Sequence, residues 1–270
     1  MPQPAAFPAA ANPGGRVASP SVCPFFSAAP AGPHDCPQPL RFGIAAIDGR
    51  LPAGGLAAAS LNEFKPAAPR DAATALTLAL TLAARAAPAH RPLLLVLLGR
   101  AGAEHGLPYG PGLACLGLDP CRLLVVQAPR LADALWALEE GLRSGVLAAA
   151  AGLLDTSRQA IGIVPARRLV LAADEGGTPC LLITSADSPG INVAHSRWRV
   201  ETLASAPHPL DRAAPGARRC ALRLERCRHG PADLSWRIEW GAGGLLMEAG
   251  AQAPGIAQCH VSPKPRQRRQ

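Results

Sequence analysis

Leu93–Leu98 is an unbroken apolar run set between Pro92 and Gly99, the pattern of a strand covered on both faces of a parallel sheet. The segment before it follows a different rule. From Asp71 to Ala87 the chain is mainly Ala, Leu and Thr without Pro or Gly, which predicts a buried helix stopped by Pro88. From Pro129 to Arg143, Leu131, Leu135, Leu138 and Leu142 recur at helical spacing, so an amphipathic helix is expected there, with Asp133, Glu139 and Glu140 off its apolar stripe and Glu139-Glu140 exposed. Further strands are predicted over Leu56–Phe64, Arg122–Gln127, Val146–Leu154 and Cys180–Ser185. Short helical segments are predicted over Phe42–Asp48 and Leu113–Leu118, and a longer helix over Ala166–Glu175, ended by Gly176-Gly177. This alternation makes the fold class α/β, a mostly parallel sheet with helices on both faces. Past Asp187 the helices stop. Arg197–Leu203, Arg219–Cys227 and Ser235–Trp240 read as successive strands, the last with Trp236, Ile238 and Trp240 on one face, and predict an antiparallel C-terminal end to the sheet.

Length and composition divide the chain. Its 270 residues suit one core domain with tails. Residues 1–38 are Ala, Pro and Gly with few charges and are expected to be a disordered arm. The core is expected over 39–248, followed by a disordered basic tail over 249–270. Apolar residues make up 49% of the chain and aromatics only 4%, so Leu, Val and Ala must fill the core. No apolar stretch reaches the roughly 18–20 residues of a membrane span, and the start lacks the pattern of a signal peptide; a cytoplasmic location is expected. The eight cysteines form no C-x2-C or C-x4-C hook, so they are expected to be reduced thiols, with no metal site. Net charge is +8, and residues 207–270 hold 11 Lys/Arg against 5 Asp/Glu. A basic end of this kind suits an acidic partner, either nucleic acid or protein.

The chemistry expected of such a fold is missing from its usual place. A phosphate-binding loop, G-x-x-x-x-G-K-[ST], joins the first long strand to the next helix. Its glycines let main-chain N–H groups face the phosphates, its lysine neutralises them, and its hydroxyl holds magnesium. Here the same place reads Lys65-Pro-Ala-Ala-Pro-Arg-Asp-Ala-Ala73. Both glycines are absent, Pro66 and Pro69 remove N–H donors, and Asp71 and Ala72 stand at the lysine and hydroxyl positions. Asp71 would repel a phosphate, whereas Lys65 and Arg70 would attract an anion. Gly152 stands where the fourth strand should present a metal-organising Asp, with Asp155 just beyond it. Glu104-His105 follows the second strand, where such folds often carry a catalytic Glu. No G-x-S-x-G, H-E-x-x-H or paired-carboxylate motif occurs. No catalytic residue and no cofactor are expected.

Four stretches together resemble the ImuA family of RecA-like proteins: Phe42-Gly-Ile-Ala-Ala-Ile-Asp-Gly-Arg-Leu-Pro-Ala-Gly-Gly-Leu56, Tyr109-Gly-Pro-Gly-Leu-Ala-Cys-Leu-Gly-Leu-Asp-Pro-Cys-Arg-Leu123, Ala134-Leu-Trp-Ala-Leu-Glu-Glu-Gly-Leu-Arg-Ser-Gly145 and Ser196-Arg-Trp-Arg-Val200. The third, with Trp136 and the Glu139-Glu140 pair, is the most specific. The resemblance covers roughly residues 40–245 and implies a RecA-like fold with a degenerate P-loop. It implies accessory work in bacterial SOS mutagenesis, through contacts with ImuB and RecA, alongside an error-prone C-family DNA polymerase that copies past lesions. The connectors Thr156–Pro165 and Ala186–Ala194 are much shorter than the DNA-channel loops of RecA, so RecA-style filament binding to DNA is not expected. Two alternatives stand beside the accessory role. One is a single-stranded DNA-binding module using the basic C-terminal part, with Arg197, Trp198, Arg199, Arg266, Arg268 and Arg269 as DNA or partner contacts. The other is a residual nucleotide-binding switch.

Overall fold

The computed structural model describes residues 38–247, apart from 87–90, 100–103, 206, 209, 212 and 242–243. Apart from Gln38, the expected arm and tail lie outside the described residues, as do Arg266, Arg268 and Arg269. The described elements are α1 (Ala45–Asp48), β1 (Leu61–Pro66), α2 (Ala72–Ala86), β2 (Leu93–Leu98), α3 (Gly110–Cys115), β3 (Leu123–Ala128), α4 (Leu131–Arg143), β4 (Ala149–Leu153), α5 (Ile163–Glu175), β5 (Cys180–Ile183), β6 (Ser196–Leu203), β7 (Arg219–Cys227), β8 (Leu234–Gly241) and β9 (Gly244–Met247).

Among the described residues the strands form one nine-stranded sheet, ordered β3-β2-β4-β5-β1-β6-β7-β8-β9. From β3 to β6 every neighbouring pair is parallel. From β6 onward the pairs are antiparallel. The two halves follow from the sequence: helices return the chain between parallel strands, and their disappearance after β5 lets hairpin-like neighbours form.

Each face of the sheet has its own apolar layer. On one, α2 packs Ala75, Leu78, Ala79 and Leu82 against Phe64, Leu95, Leu97 and Ile183, and the layer continues through Phe42 and Trp198 to Trp236 and Ile238. On the other, α4 supplies Ala134, Leu138 and Leu142, and α5 supplies Ala166, Leu169 and Ala172. Leu94 and Val96 face this second layer while Leu93, Leu95 and Leu97 face the first, as period-two alternation requires. α2 is well suited to its place. Ala and Leu favour the helix, and Thr77 and Thr81 return their hydroxyls to the carbonyls of Ala73 and Thr77.

Glu139 departs from the expected exposed position. Its side chain is 5% exposed and pairs with Arg143 of its own helix at 2.7 Å and Arg168 of α5 at 2.8 Å. Two guanidiniums stabilise the carboxylate there, so the charge ties the two helices together. Glu140 is exposed as expected. β3 lies at the sheet edge, and its Leu124, Val125 and Val126 are exposed.

Candidate functional site

The turn from β1 to α2 stands where a phosphate-binding loop would sit, and the protein fills it with its own carboxylate. Pro69–Asp71 make a single 3-10 turn before α2 begins at Ala72. Asp71 is fully buried, at 0% exposure. One carboxylate oxygen accepts from the Ala68 N–H at 2.9 Å and the other from the Thr202 N–H at 3.1 Å. The first bond is the reaching-back half of a capping box. The second ties the turn to β6, where the hydroxyls of Thr74 and Thr202 also share a hydrogen bond at 2.8 Å. Asp71 thus supplies negative charge at the head of α2, where a helix favours an anion. Pro66 and Pro69 have no N–H to offer a ligand.

The two cations expected to attract an anion do not converge on this turn. Lys65 is buried, and its Nζ donates to the carbonyl of Ser188, in the β5–β6 connection. Strand alternation explains the direction: Phe64 packs towards α2, so Lys65 turns to the opposite face. Burial, more than any neighbouring charge, pushes the Lys65 ammonium below its ordinary pKa, while Glu63 opposes that shift. Arg70 lies exposed on the outside of the turn, without an ion-pair partner among the described residues.

A cleft of about 220 Å³ opens at the carboxyl ends of the strands, lined by Ala72, Glu104, His105, Asp155 and Asp187 among others. Among the described residues its lining holds three carboxylates and neither lysine nor arginine, a set whose field disfavours a phosphate. Asp155 is fixed by hydrogen bonds to Oδ1 from the Ser157 hydroxyl at 2.6 Å, the Ser157 N–H at 3.0 Å and the Ser185 hydroxyl at 3.0 Å. These bonds, led by the Ser157 hydroxyl, hold its pKa below the ordinary carboxylate value. Among the described residues, no three His, Cys, Asp or Glu side chains come together in a way that could hold a metal ion.

Gly152 does not occupy the metal-facing position expected of it. A Cβ built there would lie 3.0 Å from Leu138 Cδ1 and 3.1 Å from Leu182 Cδ2, inside the layer beneath α4. Gly152 therefore turns away from the cleft, and Asp155, three residues on, is the acidic group that reaches it from the end of β4.

Arg197, Trp198 and Arg199 lie side by side on β6 but are engaged within the fold. Trp198 is completely buried, with ring centroids 5.0 Å from Phe42 and 5.9 Å from Trp236, and its Nε1 donates to the Ser196 hydroxyl at 2.9 Å. Its ring has no face open to a base. Arg199 pairs with Glu225. Arg197 donates to Glu63 at 2.8 Å, and Glu63 was not among the expected site residues. Its carboxylate is 0% exposed and also accepts from the Thr184 hydroxyl at 2.9 Å and the Ile191 N–H at 2.8 Å. The signal was in the sequence: a carboxylate inside the first buried strand needs a partner, and β1–β6 pairing sets Glu63 opposite Arg197.

No family model matches the chain. Over 214 residues it is 31% identical to Protein ImuA of Caulobacter vibrioides, in strain NA1000 / CB15N and again in strain ATCC 19089 / CIP 103742 / CB 15; the match spans 71% of this chain and 79% of the relative. Among solved structures it is similar to the RadB recombinase, with a TM-score of 0.53 and 16% identity, covering 76% of this chain and 98% of that one. That likeness makes the fold RecA-like. At 31% identity over 71% of its length, the chain belongs to the ImuA family.

Proposed function

We propose that this chain is a non-catalytic accessory protein of a bacterial mutagenic translesion DNA synthesis complex in the SOS response. In this reading it works through contacts with ImuB and RecA and reaches an error-prone C-family DNA polymerase through the complex. Family membership supports the mutagenesis role. The observation that carries the non-catalytic half is Asp71, whose buried carboxylate stands at the head of α2, accepting from the N–H groups of Ala68 and of Thr202 on β6, where a phosphate loop would instead place its anionic ligand.

A fold retained for its surfaces should offer some. Trp136 on α4, Val164 and Leu171 on α5, and Leu124–Val126 on the edge strand β3 are large apolar side chains in the open, and they are the candidates for such contacts. Among the described residues, no helix is long and apolar enough to cross a membrane, which fits a cytoplasmic protein working beside DNA. Affinity purification of the tagged full chain from cells after DNA damage tests the reading. ImuB and RecA are expected to co-purify with it, and recovery of neither would refute the reading.

A further inference from the structure

A second and larger cleft, about 720 Å³, opens between the latter half of α2, the turn after α3, the β6–β7 connection and the β8–β9 hairpin. Its size falls within the roughly 300–1,000 Å³ of small-molecule sites. Arg85, Arg218, Trp240 and Cys115 line it, and among the described residues no carboxylate does.

The cations here are arranged differently from those on β6. Arg85 is seated between two glycines. A Cβ at Gly43 would lie 2.0 Å from its Nη2, and one at Gly244 would lie 2.5 Å from its Nη1. The guanidinium of this exposed arginine lies close against the bare main chain of both glycines. It has neither an ion-pair nor a hydrogen-bond partner among the described residues. Arg218 lies over the Trp240 ring, 5.8 Å from its centroid, and is likewise without a carboxylate among the described residues. The indole is pinned in turn, its Nε1 donating to the Thr81 hydroxyl at 3.1 Å. Two guanidiniums without a carboxylate among the described residues, one of them stacked on a fixed indole, suit a ligand that is anionic and flat.

We propose that this cleft binds single-stranded nucleic acid, with phosphate held by Arg85 and a base laid on the Arg218 guanidinium that Trp240 backs. Guanidinium forks match phosphate geometry, and unstacked bases lie on guanidinium planes as they do on aromatic rings. An acidic peptide would satisfy the arginines but would make no use of the stacked plane. The inference is independent of the partner contacts proposed above: failure of one leaves the other standing.

Fluorescence anisotropy with a fluorescein-labelled oligothymidylate and the full chain tests it. Arg85→Gln is expected to weaken binding roughly tenfold and to reduce the slope of log affinity against log salt by about 0.7. Arg218→Gln and Trp240→Leu, which remove the stacked plane and its backing, should each weaken binding roughly tenfold at unchanged slope. Arg158→Gln, outside the cleft, should change neither. In the unmutated chain, the oligonucleotide should slow alkylation of Cys115 relative to Cys121, read residue by residue by mass spectrometry; this arm does not depend on any variant folding. Absence of oligonucleotide binding, binding indifferent to all three cleft substitutions, or Cys115 modified at full rate under saturating oligonucleotide would each overturn the proposal. Arginine-dependent binding of polyglutamate without binding of the oligonucleotide would also overturn it and assign the cleft to an acidic protein segment.

Discussion

Asp71→Ala should destabilise the core substantially although it touches no ligand. The side chain is fully buried and makes two charge-assisted bonds to main-chain N–H groups, at 2.9 Å and 3.1 Å. Hydrogen bonds to charged groups contribute about 1.5–3 kcal/mol each. Removal also strands both donors, while relief of carboxylate desolvation offsets part of the loss. A net cost of about 3 kcal/mol follows. For a domain of this size that lowers the melting temperature by about 6–12 °C. Asp71→Asn sharpens the test. Its amide has one acceptor oxygen, and its nitrogen would face a main-chain donor, so it should lose nearly as much as Ala. Thermal melts followed by circular dichroism measure both variants. If both melted within about 2 °C of the parent, Asp71 would not be the lock of this turn.

Arg197→Met should cost about 3–5 kcal/mol, because it leaves the buried Glu63 carboxylate without its cation; adding Glu63→Gln should recover part of the loss, and additivity of the two in urea melts would contradict the pairing. In the native chain Cys180 and Cys220, both pushed up to about 12 by burial, should resist alkylation at neutral pH, whereas the exposed Cys115 and Cys121 should react within the same digest. Hydrogen bonds hold Asp155 and Asp133 below their ordinary carboxylate pKa. The unfolded chain therefore binds more protons as acid is added, so their stabilisation is present above about pH 4 and lost as pH falls through the folded values. Asp155→Asn should flatten that acid limb in a stability–pH series.

Most of the fold was legible because periodicity reports burial. The run Leu93–Leu98 became β2, buried throughout, and Arg219–Cys227 became β7 with the expected bounds. The differences have physical causes. The predicted helix Leu113–Leu118 is observed over Gly110–Cys115, since Gly and Pro suggest a loop while Pro is also favoured in a first helical turn. β9 is only four residues long and follows glycine, too short for a pattern to show. Leu56, expected to open β1, instead makes an isolated bridge to Leu40. The site was harder to read than the sheet. The absence of phosphate-loop residues was plain, but one of the two bonds that make Asp71 structural comes from Thr202, 131 residues away. Glu139 looked solvent-facing because one of its two partners, Arg168, lies on the next helix. Gly152 and Lys65 were assigned by position along the strand, while which face each side chain takes depends on strand register, and that is fixed by neighbours distant in sequence.

Titration of the full chain with magnesium ATP by isothermal calorimetry bears most directly on the claim that this RecA-like core has given up nucleotide chemistry. With Asp71 closing the turn and an acidic cleft beside it, no saturable heat is expected up to about millimolar ATP, equivalent to less than about 4 kcal/mol of binding. Saturable binding in the micromolar range would contradict the account.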